Sequence, residues 1–299
     1  MRAQRRHTGT GTLERAQLLG DRNDCSKTPA LPYSAVLADQ TWVLTGAAGR
    51  IGTSLRPSIA ERVGRLRLVD LVPVTPEHER EESVVADLRD RAAAGEAIAG
   101  ADGVVHLGGL SDEAPFEDLS ANNILGTFNV LEAARLAGVA RFVYASTSRV
   151  TGFYPVSTVV GPQLATRPDS LYAVSKAAGE ALGSMYSYKF RLSFVSIRIG
   201  SFDDVPRDRR HLSTWLSPRD CAAAFLAAMR APGIRYVVFY AVSANTRGWW
   251  DLTPGYRLGF RPVDNAENYA GSIDPGAEQP PDDRQGGDNA SPEHTLPHL

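Results

Sequence analysis

The sequence lacks most features that mark secreted, membrane-spanning or nucleic-acid-binding proteins. Its 299 residues include only two cysteines, Cys25 and Cys221, which give neither a metal-ligand spacing nor a disulfide framework, so we expect a reducing, cytoplasmic setting. No apolar run approaches the length of a membrane span, so we expect no membrane partner. The net charge of −2 offers no basic surplus for a nucleic-acid partner. The 43% of hydrophobic residues is instead typical of a soluble globular protein.

The two ends of the chain differ in composition from its middle. Residues 1–40 begin with several arginines but have no apolar stretch of a secretory signal. We predict a disordered extension there, with an organellar transit peptide as the alternative. Residues 274–299 are rich in Pro, Gly, Asp and Gln, a composition that cannot bury a core, so we predict a disordered tail. One folded domain is expected to span residues 41–273.

The middle of the chain alternates short apolar runs with helical patterns. Apolar runs predict strands at residues 42–45, 66–69, 83–86, 103–107, 141–145, 193–197 and 236–240. Apolar residues at helical spacing predict helices at about 50–62, 116–137, 171–188 and 219–231. Strands that alternate with helices predict an α/β fold with a doubly wound parallel sheet.

A glycine-rich turn follows the first predicted strand. Gly46-Ala-Ala-Gly49-Arg-Ile-Gly52 lies between that strand and the helix that begins near Arg50. Small residues let the backbone approach a pyrophosphate, and the unpaired N–H groups of a helix N-terminus favour its negative charge. A glycine turn alone also serves backbone geometry, but the strand-then-helix context predicts dinucleotide binding.

Acidic residues at strand ends bear on which dinucleotide is bound. Asp70 ends the second predicted strand, 21 residues after Gly49, where a carboxylate accepts from a ribose 2′-OH and repels a 2′-phosphate. This favours NAD over NADP, although Arg50 is a cation that would suit a 2′-phosphate. Asp87 ends the third strand and is a candidate adenine contact, with a helix N-cap as the alternative.

A Tyr-x-x-x-Lys pair follows the nucleotide-binding turn. The chain has three lysines and ten tyrosines, and Tyr172 and Lys176 form the one pair with this spacing. Residues four apart share a helix face, and a cation held there favours phenolate over phenol. We therefore predict that Tyr172 has a lowered pKa and acts as general base towards a hydroxyl proton.

Together these motifs resemble the extended short-chain dehydrogenase/reductase superfamily, which implies a Rossmann-type sheet with a small C-terminal substrate-binding region at about residues 199–260. The matching residues are the glycine turn, Asp70, Asp87, Asn123 with Gly126-Thr127, Ser146-Thr147-Ser148, and Tyr172 with Lys176. More narrowly, the chain resembles bacterial uronate dehydrogenases at residues 106–111, 115–117, 152–155, 199–201, 210–215 and 244–251. The resemblance covers most of residues 41–273 and neither tail.

The resemblance implies NAD-dependent oxidation of a hexuronate at C1 to the aldarolactone, without a metal. Tyr172 would be the base, Lys176 would lower its pKa and hold the nicotinamide ribose, and Thr147 would hydrogen-bond the reacting oxygen. Asn123 would hold a water or backbone group behind Lys176. The implied cofactor contacts are Gly46, Ala48, Gly49, Arg50, Ile51, Gly52, Asp70, Asp87, Leu88, Leu107, Gly108, Tyr172 and Lys176.

The resemblance also implies a substrate side, formed by Ser111, Thr147, Ser148, Arg149, Tyr172, Ser201 and Arg210. A planar guanidinium suits a carboxylate bidentately, and Arg210 matches the substrate arginine of the family, with a solvated basic loop as the alternative. Ser111 and Ser201 match positions that hydrogen-bond the sugar, with turn residues as the alternative. Ser148-Arg149 replace the usual Asn-His, which leaves open both the preferred sugar and whether Arg149 takes the carboxylate.

The same fold also supports other functions. The nearest alternative is an NAD-dependent dehydrogenase or epimerase of another small sugar. A nucleotide-sugar epimerase or dehydratase is disfavoured because only about 75 residues separate Ile197 from Ile273, too few for a nucleotide-binding domain. A non-catalytic NAD-binding regulatory protein is disfavoured because Tyr172 and Lys176 are both present.

Three further features are interpreted as structural. His106 ends an apolar strand, which favours a satisfied core histidine over an acid or base. The Trp249-Trp250 pair indicates core packing, with a wall of the sugar pocket as the alternative. Cys221 lies in an Ala-rich helix and is interpreted as a small buried hydrophobic residue. The helices at 116–137 and 171–188 often form a dimer face in the superfamily, so we expect a homo-oligomer.

Overall fold

The computed structural model describes residues 37–273 and 283–299 of the chain. Its centre is a sheet of seven strands in the order β3-β2-β1-β4-β5-β6-β9, with every neighbouring pair parallel. The strands are β1 Thr41–Thr45, β2 Arg65–Asp70, β3 Glu81–Val85, β4 Gly103–His106, β5 Arg141–Thr147, β6 Ser193–Ile199 and β9 Tyr236–Ala241. Two short strands, β7 Ser201–Phe202 and β8 Trp215–Leu216, pair with each other beside the sheet.

Helices cover both faces of this sheet. They are α1 Arg50–Ala60, α2 Arg91–Ile98, α3 Phe116–Leu119, α4 Gly126–Ala137, α5 Leu171–Phe190, α6 His211–Thr214, α7 Pro218–Arg230, α8 Thr253–Arg257 and α9 Pro292–Thr295. One core cluster joins the sheet to α1 and α7, for example through Leu55 and Phe225. A second joins the other face to α2, α4 and α5 through Ile98, Leu131 and Tyr186. The predicted doubly wound α/β fold, a Rossmann-type sheet, is confirmed.

The strand order places the functional cleft. β1 lies between β2 and β4, so the chain moves outward along one half of the sheet and then returns to build the other half. In open parallel sheets, the crevice at such a switch point, beyond the carboxyl ends of the strands, is where ligands bind. The glycine turn after β1 and the residues that end β2, β4, β5 and β6 therefore face one crevice.

The predicted helix at 116–137 is interrupted. A π-helical segment, Ser120–Leu125, separates α3 from α4, and it contains the buried Asn123. Insertion of a π-helical turn shifts the side chains that follow and often marks a functional position. Here it directs Asn123 towards the loop after β4 and towards α5, as its hydrogen bonds below show.

The C-terminal prediction is wrong for residues 283–299. This C-terminal segment folds against the domain as two 3₁₀ turns, Gly287–Ala290 and Leu296–His298, on either side of α9. Gln285 is buried and donates from its amide to the carbonyls of Pro155 and Thr158. The signal that composition hid is Ser291-Pro292-Glu293, a typical helix start. The predictions for residues 1–36, including the setting of Cys25, and for 274–282 lie outside the described residues.

The predicted boundary of the N-terminal extension, at residue 40, is also wrong for the last residues before it. Leu37 is buried in the core beside α1, and Gln40 accepts a hydrogen bond from the indole N–H of Trp42. Residues 37–40 therefore belong to the domain, and only the part of the extension before them remains a prediction.

Gly52→Ala is expected to lower the free energy of unfolding by about 1–3 kcal/mol, because the added Cβ overpacks the turn. That Cβ would overlap the carbonyl oxygen of Gly46 and lie 2.8 Å from that of Ala47. The matched control is Gly95→Ala in α2, where an added Cβ meets no atom within 4 Å and should stabilise the helix by about 0.5–1 kcal/mol. Urea unfolding of both variants measures the difference, and equal stabilities would contradict the close approach.

Candidate active site

A cleft of about 620 Å³ opens at the carboxyl ends of the central strands, within the size range of cofactor and small-ligand sites. Its lining includes predicted cofactor residues from the glycine turn together with Tyr172 and Lys176 from α5. The glycine turn and the Tyr-Lys pair, 126 residues apart in sequence between Gly46 and Tyr172, are therefore parts of one site.

The glycine turn is shaped for close approach. Gly46 has a positive φ of 68°, which favours glycine, and a Cβ there would lie 2.9 Å from the backbone of Gly108. The α1 helix begins directly after the turn, at Arg50, with its N-terminus at the cleft. Backbone N–H groups at such a terminus suit a pyrophosphate, so the residues present fit a dinucleotide.

The side chains of Asp70 and Arg50 have different partners. The Asp70 carboxylate accepts from the backbone N–H groups of Ala48 and Leu71 at 2.9 and 2.8 Å and lines the cleft. Arg50 instead pairs with Asp203 at 3.3 Å and lies over the ring of Phe202. Arg50 and Asp70 both line the cleft, but the charge of Arg50 is paired with Asp203, whereas the Asp70 carboxylate accepts only from backbone N–H groups.

Asp70→Asn is expected to shift the ratio of kcat/KM values for NADP and NAD about tenfold towards NADP. The amide keeps an acceptor oxygen but removes the negative charge that would repel a 2′-phosphate, and a single close charge pair is worth several kcal/mol at a protein surface. Steady-state kinetics with both cofactors measure the ratio, and an unchanged ratio would show that Asp70 does not select the cofactor.

The remaining predicted cofactor residues also lie along the cleft. Leu88, Leu107, Gly108, Ala48 and Ile51 contribute to its lining. Asp87 lines it too, but its carboxylate is held by Arg89 at 2.6 Å, and this pairing lowers the pKa of Asp87. Since Arg89 occupies the carboxylate, an adenine contact by Asp87 would compete with this ion pair.

The predicted catalytic pair lies at the centre of the cleft. Tyr172 and Lys176 are 8% and 5% exposed, on the first turns of α5. The Lys176 ammonium donates to the carbonyl of Ala145 at 3.0 Å and lies 5.8 Å from the centre of the Tyr172 ring. The helix is fixed at this end by Ser170, which caps it, and by Glu113, which accepts from the N–H groups of Leu171 and Tyr172.

The predicted lowering of the Tyr172 pKa differs from what the structure shows. Burial raises the pKa of Tyr172 to about 12, while the positive charge of Arg149 and a hydrogen bond with Thr147 act in the opposite direction. Burial also lowers the pKa of Lys176 to about 8, because the ammonium is removed from water. Helical spacing correctly placed the two side chains together, but the desolvation that dominates both pKa values is a property of the tertiary structure.

Thr147 and Asn123 are brought to the pair from two other elements. Thr147 ends β5, lines the cleft and accepts from the N–H of Arg149 at 3.2 Å. Asn123 accepts from the N–H of Leu110 at 2.7 Å and donates to the hydroxyl of Ser175 at 2.9 Å. It therefore ties the loop after β4 to the helix that carries Lys176.

The residues predicted for the substrate side fall into two groups. Ser111 and Arg149 line the cleft next to Tyr172. Ser201 and Arg210 lie together beyond β6, with the Arg210 guanidinium 3.3 Å from the Ser201 hydroxyl and donating to the Gln285 carbonyl at 2.9 Å. Arg210 is half-buried rather than part of a solvated loop, and burial lowers its pKa.

Ser148 and Arg149 take different positions despite being neighbours. Both lie in the 3₁₀ turn Ser148–Thr151 that follows β5. Ser148 is buried, at 4% exposure, and its backbone carbonyl accepts from Thr151. Arg149 extends beside Tyr172, with its guanidinium 5.3 Å from the centre of that ring.

The residues that sequence reasoning missed surround Arg149. Asp112, Asp169 and His294 hydrogen-bond its guanidinium. None of the three stood in a motif, and His294 is 145 positions away along the chain. Only Asp169-Ser170, directly before α5, carried a local signal, since such residues favour helix starts.

His106, Trp250 and Cys221, which were interpreted as structural, are all buried. His106 is 1% exposed between the hydroxyls of Thr45 and Thr127 at 2.7 and 3.0 Å, and burial lowers its pKa to about 3, so it is neutral. Trp250 stacks on Tyr240 at 5.3 Å within a small core cluster, and Cys221 is buried under α7.

Residues 37–273 and 283–299 contain neither a cluster of metal-ligating side chains nor a helix suited to a bilayer. In that part of the chain, no group of three or more His, Cys, Asp or Glu side chains is arranged to hold a metal ion. No helix there is long and apolar enough to cross a bilayer.

Comparison with known proteins identifies the lineage of this site. Residues 42–202 match the model of the NAD dependent epimerase/dehydratase family. The chain is 43% identical to uronate dehydrogenase of Agrobacterium fabrum over 227 residues, covering 76% of this chain and 86% of that protein. It is 37% identical to uronate dehydrogenase of Pseudomonas putida, covering 82% and 93%.

A solved structure gives the same result. A variant of uronate dehydrogenase from Agrobacterium tumefaciens, crystallised with NAD, is 42% identical and superposes with a TM-score of 0.80 over 85% of this chain and 97% of that one. By its sequence, its fold and the placement of its glycine turn and Tyr-Lys pair, the chain belongs to the NAD dependent epimerase/dehydratase family, among relatives named uronate dehydrogenase.

Proposed function

We propose that the protein oxidises a hexuronate, such as galacturonate or glucuronate, at C1 to the aldarolactone with NAD. The observation that carries the proposal is the placement of Tyr172, Lys176 and Thr147 in one cleft with the glycine turn and Asp70. Arg210 and Ser201, which lie together beyond β6, would add a charged and a hydroxyl donor for a small sugar bound beside Tyr172. The relatives' names agree with this combination of a redox site and a carboxylate partner.

The cofactor would lie with its pyrophosphate on the glycine turn and its adenosine ribose at Asp70. Gly46, Gly49 and Gly52 leave room for it, and Asp70 selects NAD by its charge. Lys176, held at Ala145, is placed to hold the nicotinamide ribose at the other end of the cleft. When bound, NAD supplies the hydride acceptor and a positively charged ring beside the phenol.

The residues of the chain perform the proton side of the reaction. Thr147 hydrogen-bonds the C1 oxygen of the sugar from the wall of the cleft that also contains Tyr172, so it aligns the hydroxyl with the base. The Tyr172 phenolate takes the hydroxyl proton while the C1 hydrogen leaves as hydride and the C1–O bond becomes the lactone carbonyl. Lys176, and Asn123 through Leu110 and Ser175, maintain the position of the base.

Arg210 takes the carboxylate of the sugar in this proposal. Its two described side-chain hydrogen-bond partners, the Gln285 carbonyl and the Ser201 hydroxyl, are neutral, and Asp169, Asp208 and Asp288 act on its charge without a described hydrogen bond to the guanidinium. A guanidinium removed from water by burial gains most from an anionic partner. Ser111, across the cleft, is placed for a sugar hydroxyl.

A direct assay tests the proposal. Purified protein with galacturonate or glucuronate and NAD is expected to produce the absorbance of reduced nicotinamide, with neutral aldoses as the comparison. Absence of turnover with any hexuronate would overturn the substrate assignment. Turnover of neutral aldoses at equal efficiency would favour the alternative of another small sugar.

We also propose a homo-oligomer in the cytoplasm. Helices α4 and α5 expose large apolar side chains, with Leu136 at 66% and Tyr188 at 62% exposure. Apolar residues concentrated on two neighbouring helices support burial against another copy. A free buried thiol, Cys221, fits a reducing compartment.

A further inference from the structure

Arg149 stands where the resembled enzymes have histidine, and each end of its guanidinium is already engaged. Nε donates to Asp169 at 3.2 Å, Nη1 to Asp112 at 2.9 Å and Nη2 to His294 at 2.8 Å. A bidentate carboxylate complex needs two parallel N–H groups on one edge. Each edge of Arg149 carries at least one such bond, and two carboxylates already balance its charge. Arg149 is thus a poor partner for a third, the sugar carboxylate.

The same contacts hold Arg149 against the base. Its guanidinium lies 5.3 Å from the centre of the Tyr172 ring, and only 11% of its side chain is exposed. A cation over an aromatic face in a partly desolvated site is attracted to the ring and favours its anionic form. Of the charged groups that bear on Tyr172, Asp112 and Asp169 raise its pKa and Arg149 lowers it.

Three elements contribute groups that face Tyr172. They are Asp112 from the loop after β4, Thr147 and Arg149 from the end of β5 and its turn, and Asp169 and Lys176 from before and within α5. Tyr144 of β5 lies behind Lys176, which is 5.3 Å from the Tyr144 ring. Because Arg149 is the charge that acts most strongly against the two carboxylates, its removal is expected to change the field at the base more than removal of any other of these cations.

The C-terminal segment secures this arrangement from the outside. His294 accepts from Arg149, and the adjacent Thr295 donates to Glu113 at 2.8 Å. Glu113 in turn binds the N–H groups of Leu171 and Tyr172. One turn of the segment, α9, thus touches both the cation beside the base and the carboxylate that caps the helix of the base.

We propose that Arg149 is a positioning residue that keeps a positive charge against the ring of Tyr172, that His294 of the C-terminal segment holds it there, and that Arg149 does not take the sugar carboxylate. This inference deepens the proposed function and rests on it for the role of Tyr172 as base. It assigns a role to Arg149, one of the two residues at which this chain departs from the enzymes it resembles.

The test is the pH profile of kcat/KM for a hexuronate at saturating NAD. Below the pKa of the base, the rate follows the phenolate fraction, so a rise of about one unit lowers kcat/KM about tenfold. Arg149→Met is expected to lose about tenfold at every pH well below the pKa of the base, with the loss shrinking only as the pH approaches that pKa, and with little change in KM. Arg149→Lys should recover part of the loss.

Asp112→Asn is expected to shift the pH profile in the opposite direction. Asp112 is 73% exposed, so the variant should fold, and removal of its charge should move the profile to lower pH. His294→Ala should move the profile in the direction of Arg149→Met by a smaller amount. His298→Ala, in the same segment, is the matched control, and its pH profile should be the same as that of the wild type.

The contrary outcomes are distinct. A large rise in KM for the hexuronate in Arg149→Met, with an unmoved profile, would make Arg149 the carboxylate partner and overturn the inference. Equal pH profiles for His294→Ala and His298→Ala would show that the C-terminal segment does not hold Arg149 in place. If the wild type oxidises no hexuronate, the proposed function fails. In that case a ¹³C NMR titration of Tyr172, with its signal assigned by comparison with Tyr172→Phe, tests the inference. The inference requires a higher titration midpoint for Tyr172 in Arg149→Met than in the wild type.

Discussion

Replacement of Tyr172 by phenylalanine is expected to lower kcat by about 10²–10⁴-fold, the usual contribution of a positioned general base. The hydroxyl removed is the one that would accept the substrate proton, and Thr147, which lines the same cleft, has no basic group of its own. The ring that contacts Arg149 remains, so the variant should fold and bind NAD with nearly unchanged affinity. Steady-state turnover together with NAD titration by fluorescence measures both effects.

The matched control is Tyr188→Phe, on the same helix but 62% exposed. It should retain the turnover of the wild type. Substantial activity in Tyr172→Phe would show that another group takes the proton, and a parallel loss of NAD affinity would indicate a disturbed fold rather than a missing base.

Arg210→Met is expected to lower kcat/KM for a hexuronate by about 10²-fold or more, because loss of one partner of a buried, hydrogen-bonded charge pair costs about 2–5 kcal/mol. The loss should be far smaller for the corresponding neutral aldose, which has no carboxylate for Arg210 to bind. Arg210→Lys should restore only part of the activity, since an ammonium lacks the planar fork of the guanidinium.

Arg209→Met tests whether the effect is specific to the one arginine. Arg209 is exposed and adjacent, so its substitution removes an equal charge from the same loop. A comparison of kcat/KM for acid and neutral sugars in both variants measures the specificity of Arg210. Equal losses for the two sugars in Arg210→Met would mean that Arg210 supports the fold of the site rather than the carboxylate.

The parts of the protein that follow from local pattern were predictable. The glycine turn and Asp70 are set by the geometry of a strand that leads into a helix, and their placement at the cleft agrees with that pattern. The Tyr172–Lys176 spacing places both side chains on one face of α5 regardless of what packs around it. Strand positions followed from apolar runs because strands of a parallel sheet are buried on both faces.

The protonation of the base was not predictable in the same way. Helical spacing indicated that Lys176 would lower the Tyr172 pKa, whereas burial raises it to about 12. Desolvation depends on every group that excludes water from the site, and these come from the loop after β4, the turn after β5 and the C-terminal segment. The charge that acts against it, Arg149, was singled out only as a departure from a family pattern.

The sequence by itself determined the α/β sheet, the dinucleotide turn, the preference for NAD and the identity of the Tyr-Lys pair, because each depends on residues close together in the chain. The tertiary structure alone decided that residues 283–299 are ordered, that Arg149 is bound by Asp112, Asp169 and His294, and that Arg210 hydrogen-bonds the Gln285 carbonyl and the Ser201 hydroxyl. Contacts between residues up to 145 positions apart leave no periodic signal, since their energy arises only when the fold removes them from water together.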